Sequence, residues 1–70
     1  MKTIHTGIVK FYNMALGYGF ITVKQNDGTC IDYFSHHTGL YEHVRANDMV
    51  QFELSRNKKG IIAIHVKKIS

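Results

Sequence analysis

Hydrophobic and polar positions alternate along most of this chain. In "MVQFELS", Val50, Phe52 and Leu54 share one face of an extended segment, while Gln51 and Glu53 share the other. In "IIAIHVKKI", Ile62, Ile64 and Val66 alternate with Ala63, His65 and Lys67. In "GYGFITV", Ile21 and Val23 form an apolar set that carries Gly19 inward with them and leaves Tyr18, Phe20 and Thr22 outside. "IDYFSHH" divides the same way, with Ile31, Tyr33 and Ser35 on one side and Asp32, Phe34 and His36 on the other. Nowhere do apolar positions recur at helical spacing over a window of about 11 residues, so long helices are not expected. Between the alternating segments lie short turn signals: "MALG", the Asn-Asp-Gly of "QNDG", and "RNKKG". With "GIVKFYN" at the start and the irregular "TGLYEHVRAND" before the fourth segment, the pattern predicts five short strands. Closure into a small barrel would remove the exposed edges, so residues 1–70 are expected to form one all-β domain.

The two rings of "GYGFI" raise the first functional question. If the strands before and after "QNDG" pair as a hairpin, one choice of turn sets Phe34 and His36 beside Tyr18 and Phe20 on the outer face. Unpaired bases stack on such rings with about 1–3 kcal/mol per base. Aromatic residues on strands are also common core residues. Alternation alone leaves both readings open, although the opposite face of each segment already supplies apolar residues for a core.

Composition narrows the function classes. Lys and Arg number 9 against 5 Asp and Glu, a formal charge of +4 that favours polyanionic partners. A chain of 70 residues leaves little room for a deep catalytic pocket, and its five acidic residues show no paired-carboxylate spacing for metal-assisted cleavage. One cysteine, Cys30, excludes an internal disulfide framework and reads as a small hydrophobe in a reducing compartment. No apolar run approaches the roughly 20 residues that span a bilayer, and "MKTIHTGIVKF" lacks the apolar centre of a secretory signal. The expectation is a cytoplasmic, non-enzymatic protein without cofactor or membrane association, monomeric by default. His36, His37 and His43 lie close in sequence, but adjacent strand residues point to opposite faces and no Cys or carboxylate at ligand spacing completes a metal site. Because an unperturbed imidazole titrates near 6.5, His36 could instead tune affinity with pH.

Three ordered motifs carry a family resemblance. "GIVKFYN", "GYGFI" and "DYFSH" resemble the Gly-x-Val-Lys-Trp-Phe-Asn, Lys-Gly-Phe-Gly-Phe-Ile and Asp-Val-Phe-Val-His motifs of bacterial cold-shock proteins and related cold-shock domains. "VRANDMVQFEL" and "KKGIIAIHV" are similar to later segments of the same family, so the resemblance covers nearly the whole chain. It implies a five-stranded antiparallel barrel of the oligonucleotide-binding (OB) type that binds single-stranded RNA or DNA and acts as an RNA chaperone. Matched residue by residue, the aromatic platform would be Phe11, Tyr12, Tyr18, Phe20, Phe34 and His36, with His37 able to stack beside them. Lys10 and Lys59 would meet phosphates, with Lys58 beside them. Lys10 and Phe11 can share the binding side only if a bulge or strand end near residues 10–12 breaks the alternation.

The departures from the family pattern all point to weaker binding. Phe11 replaces a tryptophan, Leu16 a lysine and His37 a larger aromatic residue. The segment between Leu40 and Val44 is shortened, and Tyr41 is a candidate replacement for a loop aromatic. Tyr33 and Ser35 stand where the family has valine, so local core packing must differ. Such divergence keeps a second reading open, a protein-interaction barrel using the same aromatic patch. An RNA-recognition-motif fold has a similar aromatic segment but needs two helices that this pattern does not provide.

Overall fold

A computed structural model describes residues 3–58 and 60–69. Five strands, β1 (His5–Asn13), β2 (Tyr18–Lys24), β3 (Cys30–His36), β4 (Met49–Asn57) and β5 (Gly60–Lys68), close a barrel in the order β1-β2-β3-β5-β4. Each expected strand is present, and a single 3-10 turn at His37–Gly39 is the one helical element among the described residues. Three pairings follow hairpins or the β1–β4 return and are antiparallel. β4 and β5 are antiparallel too, but β3 meets β5 in parallel through Phe34–Ile62 and Ser35–Ala63, so the barrel is not antiparallel throughout.

The turns explain the joints. At Asn13 the side-chain carbonyl accepts from the Leu16 N–H at 2.9 Å while its main-chain carbonyl accepts from Gly17 N–H at 2.8 Å. Asp27 turns the β2–β3 hairpin by accepting from both the N–H and the hydroxyl of Thr29. Those two bonds, the hydroxyl first, hold its carboxyl below the ordinary carboxylate range.

The core is small: Val9, Ile21, Val44, Val50, Phe52, Ala63 and Val66 are buried, with Tyr12, Val23, Tyr33, Leu40 and Leu54 packed against them. Phe52 lies at its centre, fully buried, with the His5 ring stacked 5.8 Å away and Tyr33 at 6.0 Å. Truncating such a residue costs about 3–5 kcal/mol, a large part of the stability of a domain this size.

Two bulges interrupt the alternation. In β1 the register steps from Val9–Ile21 to Phe11–Phe20, so Lys10 is the extra residue and both Lys10 and Phe11 face outward. The chain then turns Tyr12 inward. In β5 the register moves from Gln51–Lys67 to Glu53–Ile64, placing His65 and Val66 opposite Phe52. His65 adopts a left-handed φ of 54° there. The result corrects the simple alternation of the last strand: Ala63 and Val66, three residues apart, are both buried, and Ile62 and Ile64 are only half-buried. His65 is secured by Glu53 Oε2 at 2.5 Å from Nδ1 and by Tyr41 stacked on it at 5.3 Å.

Candidate nucleic-acid interface

The β2–β3 hairpin keeps an unbroken register from Tyr18–His36 to Lys24–Cys30. Phe20 therefore sits opposite Phe34, Tyr18 opposite His36 and Thr22 opposite Asp32, all on the outer face. Rings continue across this face without a gap. Phe11 lies 5.6 Å from Phe20 and 6.5 Å from Tyr18, and Phe34 lies 5.8 Å from Phe20 and 5.7 Å from Tyr18. Phe34 then meets His36 at 6.4 Å, and His36 meets His37 at 4.3 Å. Neither Phe20 nor Phe34 belongs to the buried core; both are half-exposed, and Phe11 is 41% exposed. Across the parallel pairing Ile62 aligns with Phe34, an apolar neighbour that the sequence alternation did not assign to this face.

Gly17 and Gly19 serve the packing of the barrel. A Cβ on Gly19 would come 2.3 Å from the Phe11 carbonyl oxygen and 2.6 Å from Tyr12 Cδ2. The bare position lies inside the barrel and lets β1 and Tyr12 close on β2. Gly17 adopts φ +75°, and a Cβ there would come 2.8 Å from His37 Cδ2, so this glycine seats the His37 ring against the β1–β2 turn.

Tyr12 stands apart from the other expected platform residues. The β1 bulge turns it toward the core, and its hydroxyl is buried without a protein hydrogen-bond partner. Burial raises its pKa above the ordinary phenol value. Ser35 Oγ is likewise buried and unpartnered, which is the packing consequence of a hydroxyl at a position the family pattern fills with valine.

Lys10 reaches the platform edge with its ammonium 3.0 Å from Asp32 Oδ2, and the Thr22 hydroxyl donates to Asp32 Oδ1 at 2.7 Å. The Thr22 bond first, then the Lys10 bond, hold the Asp32 carboxyl below its ordinary range. Asp32 and Thr22 were assigned to the outer face by alternation, but nothing in a one-dimensional pattern revealed that they would engage Lys10. Lys58 is exposed in the β4–β5 turn. Lys59 lies outside the described residues.

Beside the rings, between the β1–β2 turn and the segment that follows the 3-10 turn, opens a cavity of about 580 Å³. Leu16, His37, Tyr41, Glu42 and His43 line it together with Tyr12. His36 faces the platform instead: its Nδ1 accepts from the Thr38 N–H at 3.4 Å and lies 2.9 Å from the Thr38 hydroxyl. Among the described residues no three of His, Cys, Asp or Glu gather as a metal-holding group, and no helix is long and apolar enough to cross a membrane.

A closed five-stranded barrel carrying a row of solvent-facing rings on three adjacent strands defines a class, the barrels of the OB type. Comparison with known proteins then fixes the family. Residues 5–69 match the 'Cold-shock' DNA-binding domain. The chain is 38% identical over 68 residues to the cold shock-like protein CspA of Stigmatella aurantiaca, covering 91% of this chain and 96% of that one. It is 36% identical over 64 residues to the major cold shock protein of Micrococcus luteus, covering 90% and 96% of the two chains. Its fold superimposes on the Drosophila Unr CSD456 structure with a TM-score of 0.71 at 20% identity, over 99% of this chain and 28% of that one. The chain belongs to the cold-shock domain family, and nucleic-acid binding of the cold-shock type is its function class.

Proposed function

We propose that the chain is a cytoplasmic, non-enzymatic binder of single-stranded RNA or DNA. The bases of the strand stack on Phe11, Tyr18, Phe20, Phe34, His36 and His37, while Lys10, Lys58 and Lys59 hold its backbone. The observation that carries this reading is the gapless row of outward rings on β1, β2, β3 and the start of the 3-10 turn, with successive centroids 4.3–6.5 Å apart. Rings so spaced present one apolar surface to the π-faces of consecutive bases, and each stacked base contributes about 1–3 kcal/mol. Tyr12 lends support from beneath rather than stacking area. Holding bases unpaired in this way disfavours hairpins, the physical content of an RNA-chaperone role.

Stacking rather than charge dominates. Lys10 already has a carboxylate partner, and Leu16, where the family pattern has a lysine, is exposed in the β1–β2 turn. Single strands release about 0.7 counterions per phosphate contact, so two or three lysine contacts give only a shallow salt dependence. Titration with oligothymidine tests the assignment. Tyrosine fluorescence, undisturbed because the chain has 4 Tyr and no Trp, should change on binding, and amide shifts should cluster on residues 10–20 and 34–37. Absence of any response at low salt would reject it and leave the ring surface to a protein partner.

A further inference from the structure

The cavity beside the platform carries a charge that pH can reverse. Of its lining residues only Glu42 is a fixed ion near neutrality; the titratable partners facing it are His37, His43, Tyr12 and Tyr41. The β1–β2 turn contributes Met14, Ala15 and Leu16 and no charge. With both imidazoles neutral the lining carries −1; with both protonated it carries +1, one carboxylate against two imidazolium groups. Protonation of the two imidazoles therefore changes the sign of the lining.

Three details assign the change to His37 and His43. Among the described residues no hydrogen bond or ion pair engages their ring nitrogens, so both rings can donate to a ligand. Gly17, bare of a side chain, leaves the room in which the His37 ring lies against the turn. His36 is the further imidazole facing His37, its ring 4.3 Å away, with its Nδ1 lying against the Thr38 N–H and hydroxyl. The Lys68 N–H donates to Glu42 Oε2 at 3.1 Å and ties that carboxylate to the end of β5.

We propose that His37 and His43 form an acid-dependent phosphate site that receives one or two phosphodiester groups of the strand lying on the platform, in place of the cation missing at Leu16. This rests on the stacking reading above. At pH 7.5 the Glu42 carboxylate turns the backbone away and the strand is held by its bases. Near pH 5.5 the two imidazolium groups outweigh Glu42 and clamp the backbone, so the same strand is bound more tightly and with more dependence on salt.

The test is oligothymidine affinity across a salt series at pH 7.5 and 5.5, a range in which neither thymine nor a phosphodiester titrates. The expected result is several-fold tighter binding at pH 5.5, with the log–log salt slope steeper by about 0.7 for each imidazolium–phosphate contact, hence about 1.4 for two. His37→Gln with His43→Gln should abolish the steepening, and Glu42→Gln should tighten binding at pH 7.5. His5→Gln, whose ring packs on Phe52 away from the platform, should leave the ratio of the two affinities as in the native chain. An uncharged methylphosphonate strand should bind with no acid enhancement. Binding at pH 7.5 that does not strengthen on acidification, or a double His variant that keeps the steepening, overturns the phosphate site and leaves the platform standing. Failure to bind at either pH overturns the platform itself.

Discussion

The two faces of the β2–β3 hairpin are built from the same backbone and do opposite work. On the inner face Gly19 pairs with Ser35, the smallest couple in the barrel, and Ile21 pairs with Tyr33. Tyr12 and the β1 carbonyls fill the space those small residues leave. On the outer face, one residue along in register, Phe20 pairs with Phe34 and Tyr18 with His36. At Gly19 the inner face has no room even for a methyl group, whereas the outer face has large rings whose other side meets water. Stability should therefore depend on the inner residues and ligand binding on the outer ones, although the two sets alternate along one strand.

The largest effects separate these roles. Gly19→Ala would force a methyl group to within 2.3 Å of a backbone oxygen, which no side-chain rotation relieves. The expected loss is at the upper end of overpacking, about 3 kcal/mol or more, visible as a lowered urea midpoint or failure to fold. Phe34→Ala, one strand away and facing out, should weaken oligothymidine binding by about 1–3 kcal/mol while leaving the barrel folded by circular dichroism. If both variants lost stability and binding together, the division between the faces would not hold.

An intermediate effect comes from the inner face alone. Ser35 Oγ is buried without a partner, so its desolvation is uncompensated. Ser35→Ala removes the unpartnered hydroxyl without enlarging the side chain and should stabilise the domain by about 1 kcal/mol. For a chain this length that raises Tm by about 4–8 °C. A neutral or lower Tm would show that the Ser35 hydroxyl is compensated in the folded domain.

The same contrast explains what could be read from the chain in one dimension. The β2–β3 hairpin alternates without interruption, and there parity alone put Tyr18, Phe20, Phe34 and His36 on one face. Pattern could not decide that this face was the outer one; the family motifs and the barrel register did. β1 and β5 each carry an extra residue, and a bulge erases parity beyond it. The inward turn of Tyr12 and the joint burial of Ala63 and Val66 follow from those single insertions, which no residue type announces. His65, a non-glycine residue at φ 54°, is the local mark of the second bulge, and it depends on contacts with Glu53 and Tyr41 that are distant in sequence. The cavity beside the rings was equally hidden, because the segment after the 3-10 turn has no period and is positioned by long-range bonds such as Tyr41 N–H to the Val66 carbonyl at 2.8 Å.

The smallest predicted effect lies at the boundary between platform and charge. Asp32 accepts from Thr22 and from Lys10, and both bonds favour its ionised form in the folded state. A carboxyl depressed on folding contributes stability above its unfolded pKa and loses it as pH falls through the folded value, so this contribution should fade only below about pH 4. In Asp32→Asn that part of the acid limb should disappear from a stability-against-pH curve. Binding supplies an independent measure. While Asp32 is charged, a phosphate must compete with it for the Lys10 ammonium, whose side chain is 58% exposed. Removing the carboxylate should give Lys10 wholly to the strand and steepen the log–log salt slope at pH 7.5 by up to about 0.7, the value for one added phosphate contact on a single strand. An unchanged slope would mean that Lys10 stays off the backbone with or without its partner, and that the outer face holds its ligand through ring surface alone at neutral pH.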